Sequence, residues 1–157
     1  MGKKTPESRR CKVIRVTTRH DQTMEEGYNW LVGQIRRIPE NIPILLWGSI
    51  PCTGGTPWTR YNLRKYPDTF PKRLRKLRAE WRALTYNFMR ISEIVKRRKG
   101  HWALEWPTKC SYWESPNVTQ FLRNQKEPIQ IAKATGCAFG LTAISGPLRS
   151  QPMSKSW

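Results

Sequence analysis

The sequence has few acidic residues, no closely paired cysteines and no long apolar run. Its 11 Asp and Glu stand against 29 Lys and Arg. No apolar stretch approaches the roughly 20 residues that a transmembrane helix needs, and no signal-peptide core is present. The four cysteines are far apart, without a C-x-x-C pair. These absences argue against a membrane-spanning protein and against a disulfide-stapled secreted domain, and they predict a soluble, intracellular, reduced chain.

Metal ligands are also scarce. The chain has two histidines, and its four cysteines are widely separated. No ligand spacing typical of a zinc site occurs, so we expect no metal. The alternative is a zinc site that folding would assemble from His101, Cys110 and Cys137.

The excess of positive charge indicates an anionic partner. The formal charge of +18 at pH 7 favours nucleic acid or an anionic membrane surface, the alternative being a basic surface that is only solvated. Disordered basic tails are poor in aromatic residues, whereas this chain contains eight Trp. A chain of 157 residues is long enough to bury its own core. We therefore expect a flexible basic arm at 1–11, a single α/β domain at 12–150 and a tail at 151–157.

The clearest predicted element is a long amphipathic helix. Apolar residues recur at spacings of four and three from Phe70 to Val95, Pro71 lies near the start, and Gly100 closes the end. We expect the apolar stripe to pack against a sheet, the alternative being a coiled-coil seam. That stripe leaves no face for lipid, so we expect no membrane partner.

The remaining elements predict an α/β fold. Thr23 and Glu26 have the spacing of a capping box at the start of an earlier helix, which Pro39 would end. Alternating strands and helices indicate a mostly parallel sheet with flanking helices. The other predicted elements are a strand at 13–16, a helix at 24–38, a strand at 44–50, a long loop at 51–67, a strand at 101–106, a short helix after Ser115, a strand at 129–132 and a C-terminal β-hairpin punctuated by Gly136, Gly140 and Gly146.

Basic residues cover the other faces of the long helix and the loop before it. Only Glu80 and Glu93 offset the cations of that helix. We expect phosphate contacts here, because such contacts give strong, salt-dependent binding with little sequence preference. The expected nucleic-acid-binding residues are Arg60, Arg64, Lys72, Arg73, Arg75, Lys76, Arg78, Arg82, Lys96, Arg97, Arg98 and Lys99.

Cys52 and Glu105 form a candidate catalytic pair. Each lies at the end of a predicted strand, and adjacent parallel strands would bring both to the sheet edge where α/β domains collect ligands. A thiolate and a carboxyl group so placed suit attack on C6 of a pyrimidine ring, with the carboxyl group at ring N3. The alternatives are a small buried cysteine and a glutamate paired with an arginine.

Three tryptophans near this pair have two interpretations. Trp58, Trp106 and Trp113 would stack on a base drawn out of a duplex. The alternative places Trp102, Trp106 and Trp113 in the core or over the sheet.

These residues resemble a known family. Ser49-Ile50-Pro51-Cys52 is similar to the Pro-Cys loop of cytosine-5 DNA methyltransferases, 103–107 resembles that family's Glu-Asn-Val motif, and 136–140 resembles the strands that follow. The resemblance implies a Rossmann-like methyltransferase fold, with Cys52 as the covalent nucleophile and Glu105 in contact with the target cytosine. It also implies S-adenosylmethionine as the methyl donor.

The sequence departs from the family pattern in three places. Thr53 stands where the family usually has Gln, and Trp106-Pro107 replaces Asn-Val. No Gly-rich cofactor loop precedes Cys52, so the fold is expected to lack its cofactor-binding half. We therefore expect a basic nucleic-acid-binding protein on a degenerate methyltransferase-like fold, without a cofactor and with protein partners in a larger (ribo)nucleoprotein assembly. The alternative is an active cytosine-5 methyltransferase of DNA or RNA.

Overall fold

The computed structural model describes residues 11–133. The basic arm at 1–10, the predicted C-terminal β-hairpin, the segment 136–140, Cys137 and the tail lie outside the described residues. The elements are α1 (Glu25–Arg36), β1 (Leu45–Gly48), α2 (Trp58–Lys65), α3 (Phe70–Arg97), β2 (His101–Leu104), a 3₁₀ helix (Ser111–Glu114) and α4 (Pro116–Arg123).

The two strands pair in parallel. Leu45 lies opposite His101 at one end, and Gly48 lies opposite Leu104 at the other. Because α2 and α3 connect β1 to β2, this unit is a β-α-β crossover, and the predicted α/β class with parallel pairing is confirmed. The described part of the chain contains this one pair of strands.

Two predicted strands are wrong. Residues 13–16 and 129–132 have no regular secondary structure. Val13 is 71% exposed and Ile131 is 82% exposed, so neither segment buries the apolar face that would hold a strand on a sheet. Short runs of Val and Ile favour a strand, but this preference depends on packing against neighbouring strands, which these segments lack.

The start of α1 also differs from the prediction. The N-cap is Met24, without a side-chain hydrogen bond, so Thr23 and Glu26 do not form a capping box. Thr23 instead donates from its backbone N–H (2.9 Å) and its hydroxyl (2.7 Å) to the Asp21 carboxylate. These hydrogen bonds hold the pKa of Asp21 below its usual range.

The long helix α3 contributes buried residues to both hydrophobic clusters of the core, as its apolar periodicity predicts. One end of it packs Ile91 and Val95 against α1 residues Leu31 and Ile35, with Ile44 beside them. Nearer its start, Trp81 joins a second cluster. The buried members of that second cluster are Trp81, Trp106, Cys110, Tyr112 and Val118.

Candidate functional site

Glu105 lies at the carboxyl edge of the parallel pair. Its backbone N–H donates to the Gly48 carbonyl at 2.9 Å, which continues the ladder one step beyond β2. Its carboxylate accepts hydrogen bonds from Trp47 Nε1 at 3.3 Å and from the Ser49 hydroxyl at 3.4 Å. The Glu105 side chain therefore crosses to the end of β1, where it has neutral donors and no arginine partner in the described part of the chain.

Cys52 follows β1 in a loop that we call the Pro-Cys loop, residues 49–56. The side chain is half-buried and packs against the cluster around Trp106. The Cys52 carbonyl accepts from the Gly55 N–H at 2.9 Å, which closes a tight turn. Cys52 and Glu105 thus follow the ends of neighbouring strands, and the thiol lies against the core.

The Pro-Cys loop is tied to the segment that follows β2. The Tyr112 hydroxyl donates to the Thr53 carbonyl at 2.9 Å. The Gly55 carbonyl accepts from the Ser111 backbone N–H at 2.8 Å and from the Ser111 hydroxyl at 3.0 Å. These bonds give the loop carbonyls partners within the fold.

The glycine pair in this loop has a packing role. Gly54 has a positive φ of 92°, a backbone conformation that residues other than glycine rarely adopt. A Cβ on Gly55 would lie 2.8 Å from the Tyr112 ring. The two glycines therefore let the backbone pass against Tyr112, and the sequence Thr-Gly-Gly gives no phosphate-binding loop here.

Burial controls the ionisation of the groups around Cys52. Loss of solvent raises the pKa of the Cys110 thiol, and a charge on the neighbouring Cys52 would raise it further. Burial also raises the pKa of Tyr112 to about 12, against a lowering influence of Arg78. Both side chains are neutral at physiological pH, so the wall against which Cys52 packs is apolar and uncharged.

Two of the three tryptophans expected to stack on a base belong to the core. Trp106 is 2% exposed, and its Nε1 donates to the Ile50 carbonyl at 2.7 Å. Trp113 donates to the Pro107 carbonyl at 3.2 Å, and its ring lies 4.9 Å from that of Trp106. The base-stacking interpretation is therefore wrong for Trp106, and Trp113 is partly buried against the same cluster.

The possible zinc ligands do not assemble in the described residues. His101 begins β2, whereas Cys110 lies beyond the opposite end of that strand. No group of three or more His, Cys, Asp and Glu within 11–133 is placed to hold a metal ion. A cleft of about 310 Å³ lies at the start of α1, and its lining residues include His20 and Trp30 but neither Cys52 nor Glu105.

The basic surface has a different character from this strand edge. We define it by eight cations of α2 and the first half of α3, all of them exposed. None of the eight forms an ion pair within the described part of the chain. They occupy the helix positions that the apolar stripe leaves to solvent, and the cationic groups are free to meet an anion. The eight residues are Arg60, Arg64, Lys72, Arg73, Arg75, Lys76, Arg78 and Arg82.

The four predicted cations at the end of α3 divide into two groups. Arg98 donates to the carbonyls of Ile35, Ile38 and Pro39 and so closes the C-terminal end of α1. Its guanidinium is therefore engaged within the fold, and its role as a phosphate contact stays a prediction. Lys96 is also engaged.

The partners of Lys96 are the Glu93 carboxylate at 3.1 Å and the Gln125 side-chain oxygen at 2.9 Å. Arg97 and Lys99 are exposed and form no ion pair in residues 11–133. Only Arg97 and Lys99 among these four keep the property that a phosphate contact needs.

The sequence interpretation missed helix α2, which lies inside the predicted loop 51–67. This helix buries only Thr59, whereas Trp58 is 70% exposed, Tyr61 50% and the adjoining Tyr66 47%. The ammonium group of Lys65 lies 5.6 Å from the Tyr61 ring centre and 5.4 Å from that of Tyr66. The spacing of Trp58 and Tyr61 after a proline was the available signal for a helix with an aromatic face.

Comparisons of the chain with models of protein families, with curated proteins and with solved structures found no match. Among the helices of the described part, none combines the length and apolarity needed to cross a membrane.

Proposed function

We propose that this protein binds nucleic acid through the basic surface of α2 and α3. The observation that carries the proposal is that eight exposed cations on consecutive helices lack internal ion pairs in the described part of the chain. Phosphate contacts by Lys and Arg release condensed counterions from the nucleic acid, so a patch of this kind supports strong, salt-dependent binding.

The scaffold of this binding protein is, in our proposal, a degenerate Rossmann-like methyltransferase fold. The parallel β1–β2 pair with Glu105 directly at its carboxyl edge supports this interpretation. The described residues do not fit a site for S-adenosylmethionine. Ahead of Cys52, they place Gly27 and Gly33 within α1 and Gly48 at the end of β1, which leaves no Gly-rich strand-to-helix turn.

The proposal includes protein partners in a larger (ribo)nucleoprotein assembly. Leu45 and Trp47 on β1 are 63% and 61% exposed. Exposed apolar patches are typical of protein–protein interaction sites, so this face of β1 suits contact with another chain.

The test is a titration of fluorescent oligonucleotides of unrelated sequence over a range of salt concentrations. We expect the logarithm of the association constant to fall linearly with the logarithm of salt, with a slope of about −0.9 per phosphate neutralised on duplex DNA. Changing Arg75 and Lys76 to Gln should reduce the magnitude of this slope by roughly 2. The matched control changes Arg36 and Arg37, two exposed cations at the end of α1, to Gln.

The control pair removes the same net charge from a site outside the basic surface. A flat salt response would contradict nucleic-acid binding. An equal loss in both pairs would show that net charge, rather than the surface of α2 and α3, determines the affinity.

A second candidate function is cytosine-5 methylation of DNA or RNA. It is favoured by one observation, that Cys52 and Glu105 follow neighbouring parallel strands. In this reaction the Cys52 thiolate would add to C6 of the cytosine while Glu105 contacts ring N3, and a second chain would have to provide the donor site. An oligonucleotide containing 5-fluorocytosine, with S-adenosylmethionine added, should then trap a covalent adduct.

Two variants form the matched pair for this test. Cys52→Ser should abolish the adduct. Cys11→Ser, which replaces an exposed cysteine, should retain it. Absence of an adduct in the unmodified protein would contradict methylation by this chain on its own.

A further inference from the structure

We propose that α2 is a stacking platform for unpaired bases, so that the preferred ligand of the basic surface is single-stranded nucleic acid. This inference rests on the proposed nucleic-acid binding and specifies its ligand. The site consists of the aromatic rings of Trp58 and Tyr61, with Tyr66 just beyond the helix, and of the cations that alternate with them.

The aromatic side chains of α2 have little packing role. Trp58 is 70% exposed, whereas Trp81 and Trp106 in the core are 7% and 2% exposed. Tyrosine and tryptophan hold large apolar faces, which are normally covered when the fold needs them. Three such rings lie within nine residues, two on a helix that buries only Thr59 and one just beyond it, and they form an exposed aromatic surface.

The arrangement of these rings leaves faces open for stacking. The centres of the Trp58 and Tyr61 rings are 6.0 Å apart, and the ring planes meet at 89°. In an edge-to-face pair the edge of one ring covers one face of the other, so each ring keeps at least one face free of its partner. Each free face matches the planar surface that an unpaired base presents.

Cations lie directly beside these rings. Arg60, Arg64 and Lys65 belong to α2 itself, and the ammonium group of Lys65 is 5.6 Å from the centre of the Tyr61 ring. From residue 57 to residue 78 the only acidic residue is Asp68. The patch therefore complements the phosphates of a strand while its rings meet the bases.

The combination distinguishes a single strand from a duplex. In a duplex the bases are paired and stacked, so their faces are closed to side chains and only the phosphates meet the cations. Proteins that bind single strands without sequence preference combine a positive groove with aromatic side chains on which bases stack. An acidic protein would match the charge of the cations, but its carboxylates would not stack on the exposed rings.

The experiment compares an unstructured oligothymidylate with a duplex of the same length, measured by fluorescence anisotropy on the full chain. We expect tighter binding to the single strand. Trp58→Leu should weaken that binding by about 5- to 100-fold, the range that stacking of one base supplies, and should change the duplex affinity by less than about two-fold. Tyr86→Leu is the matched control, because Tyr86 is 63% exposed in the second half of α3, outside the basic surface, and it should change neither affinity.

The result that overturns the inference is salt-dependent binding with equal affinity for single strand and duplex and no effect of Trp58→Leu. Equal weakening on both ligands, or equal weakening by Tyr86→Leu, would also overturn it. Polyglutamate that competes as well as oligothymidylate would assign the patch to polyanions in general. If neither oligonucleotide binds in a salt-dependent manner, the proposed function fails as well, so the two failures are distinguishable. Thermal melts of each variant establish that the affinities are measured on folded protein.

Discussion

The Pro-Cys loop and the basic surface differ in how their polar groups are used. In the loop, the carbonyls of Ile50, Thr53 and Gly55 accept hydrogen bonds from side chains or backbone of residues after β2. On the basic surface, eight cations and the rings of α2 have few internal partners in the described structure. Groups with internal partners hold a fold together, whereas groups without them are available to a ligand. The hydrogen bonds of the loop therefore indicate a structural role for it, and the unpaired cations and exposed rings support the binding that we propose for the helices.

The strongest test of this comparison replaces one tryptophan beside the Pro-Cys loop and one tryptophan of α2 with alanine. Trp106→Ala removes a core ring that is 2% exposed and should lower the free energy of unfolding by about 3–5 kcal/mol. Trp58→Ala removes a ring that is 70% exposed and should change it by less than about 0.5 kcal/mol. Urea denaturation followed by circular dichroism measures both, and a similar loss in the two variants would abolish the distinction.

A glycine in the loop provides the next test. Gly55→Ala places a methyl group 2.8 Å from the Tyr112 ring and should cost about 1–3 kcal/mol of stability. Gly33→Ala is the control, because a Cβ at this position in α1 meets nothing within 4 Å and should gain about 0.5–1 kcal/mol from helix propensity. Unfolding midpoints of the two variants that move in the same direction would contradict the close packing of the loop.

Two neighbouring arginines at the end of α3 allow the same comparison between a group with internal partners and a group without them. Arg98→Ala removes charge-assisted hydrogen bonds to the end of α1 and should cost about 1–3 kcal/mol of stability. Arg97→Ala should leave stability unchanged and reduce the magnitude of the salt slope of oligonucleotide binding by about 1. Denaturation and salt titrations on both variants would contradict the assignment if Arg97→Ala proved the more destabilising.

The smallest effect comes from pH. Tyr112 has a pKa of about 12 in the folded protein and about 10 when unfolded, so the folded state holds this proton more tightly. The resulting stability is complete below pH 10 and is lost as the pH rises towards 12, with a loss of about 1 kcal/mol at pH 11. Tyr112→Phe should lose less stability than the unmodified protein between pH 8 and pH 11, as measured by urea denaturation. An identical loss in both proteins would place Tyr112 outside the buried wall of the loop.

The sequence predicts those features of this fold that depend on local periodicity. The apolar repeat of α3 runs over 28 residues, so its helical form and its buried face were both predictable. The short apolar runs before and after this part of the chain were predictable as strands. Helix α2 has eight residues and buries one of them, so it has almost no repeat to detect. At 13–16 and 129–132 the sequence predicts strands that the structure lacks, because strand propensity alone does not provide a partner strand.

The candidate site was less predictable because partners distant in sequence decide each role. Arg97 and Arg98 are adjacent and chemically identical, yet only Arg98 reaches the end of α1, some 60 residues earlier in the chain. Trp58 and Trp106 both follow or precede a proline, and only the tertiary fold separates an exposed ring from a buried one. Such assignments depend on three-dimensional contacts that no local pattern contains.

The hydrogen bonds of the Pro-Cys loop also set an order of folding. The partners that hold Ile50, Thr53 and Gly55 come from residues 56 to 59 positions later in the chain. During synthesis the N-terminal part emerges first, so the loop is made well before the residues that fix it. Cys52 is therefore an open thiol in the nascent chain and becomes sheltered only when β2 and Tyr112 arrive. The maturation of this protein can accordingly be followed by the time at which alkylation of that thiol slows.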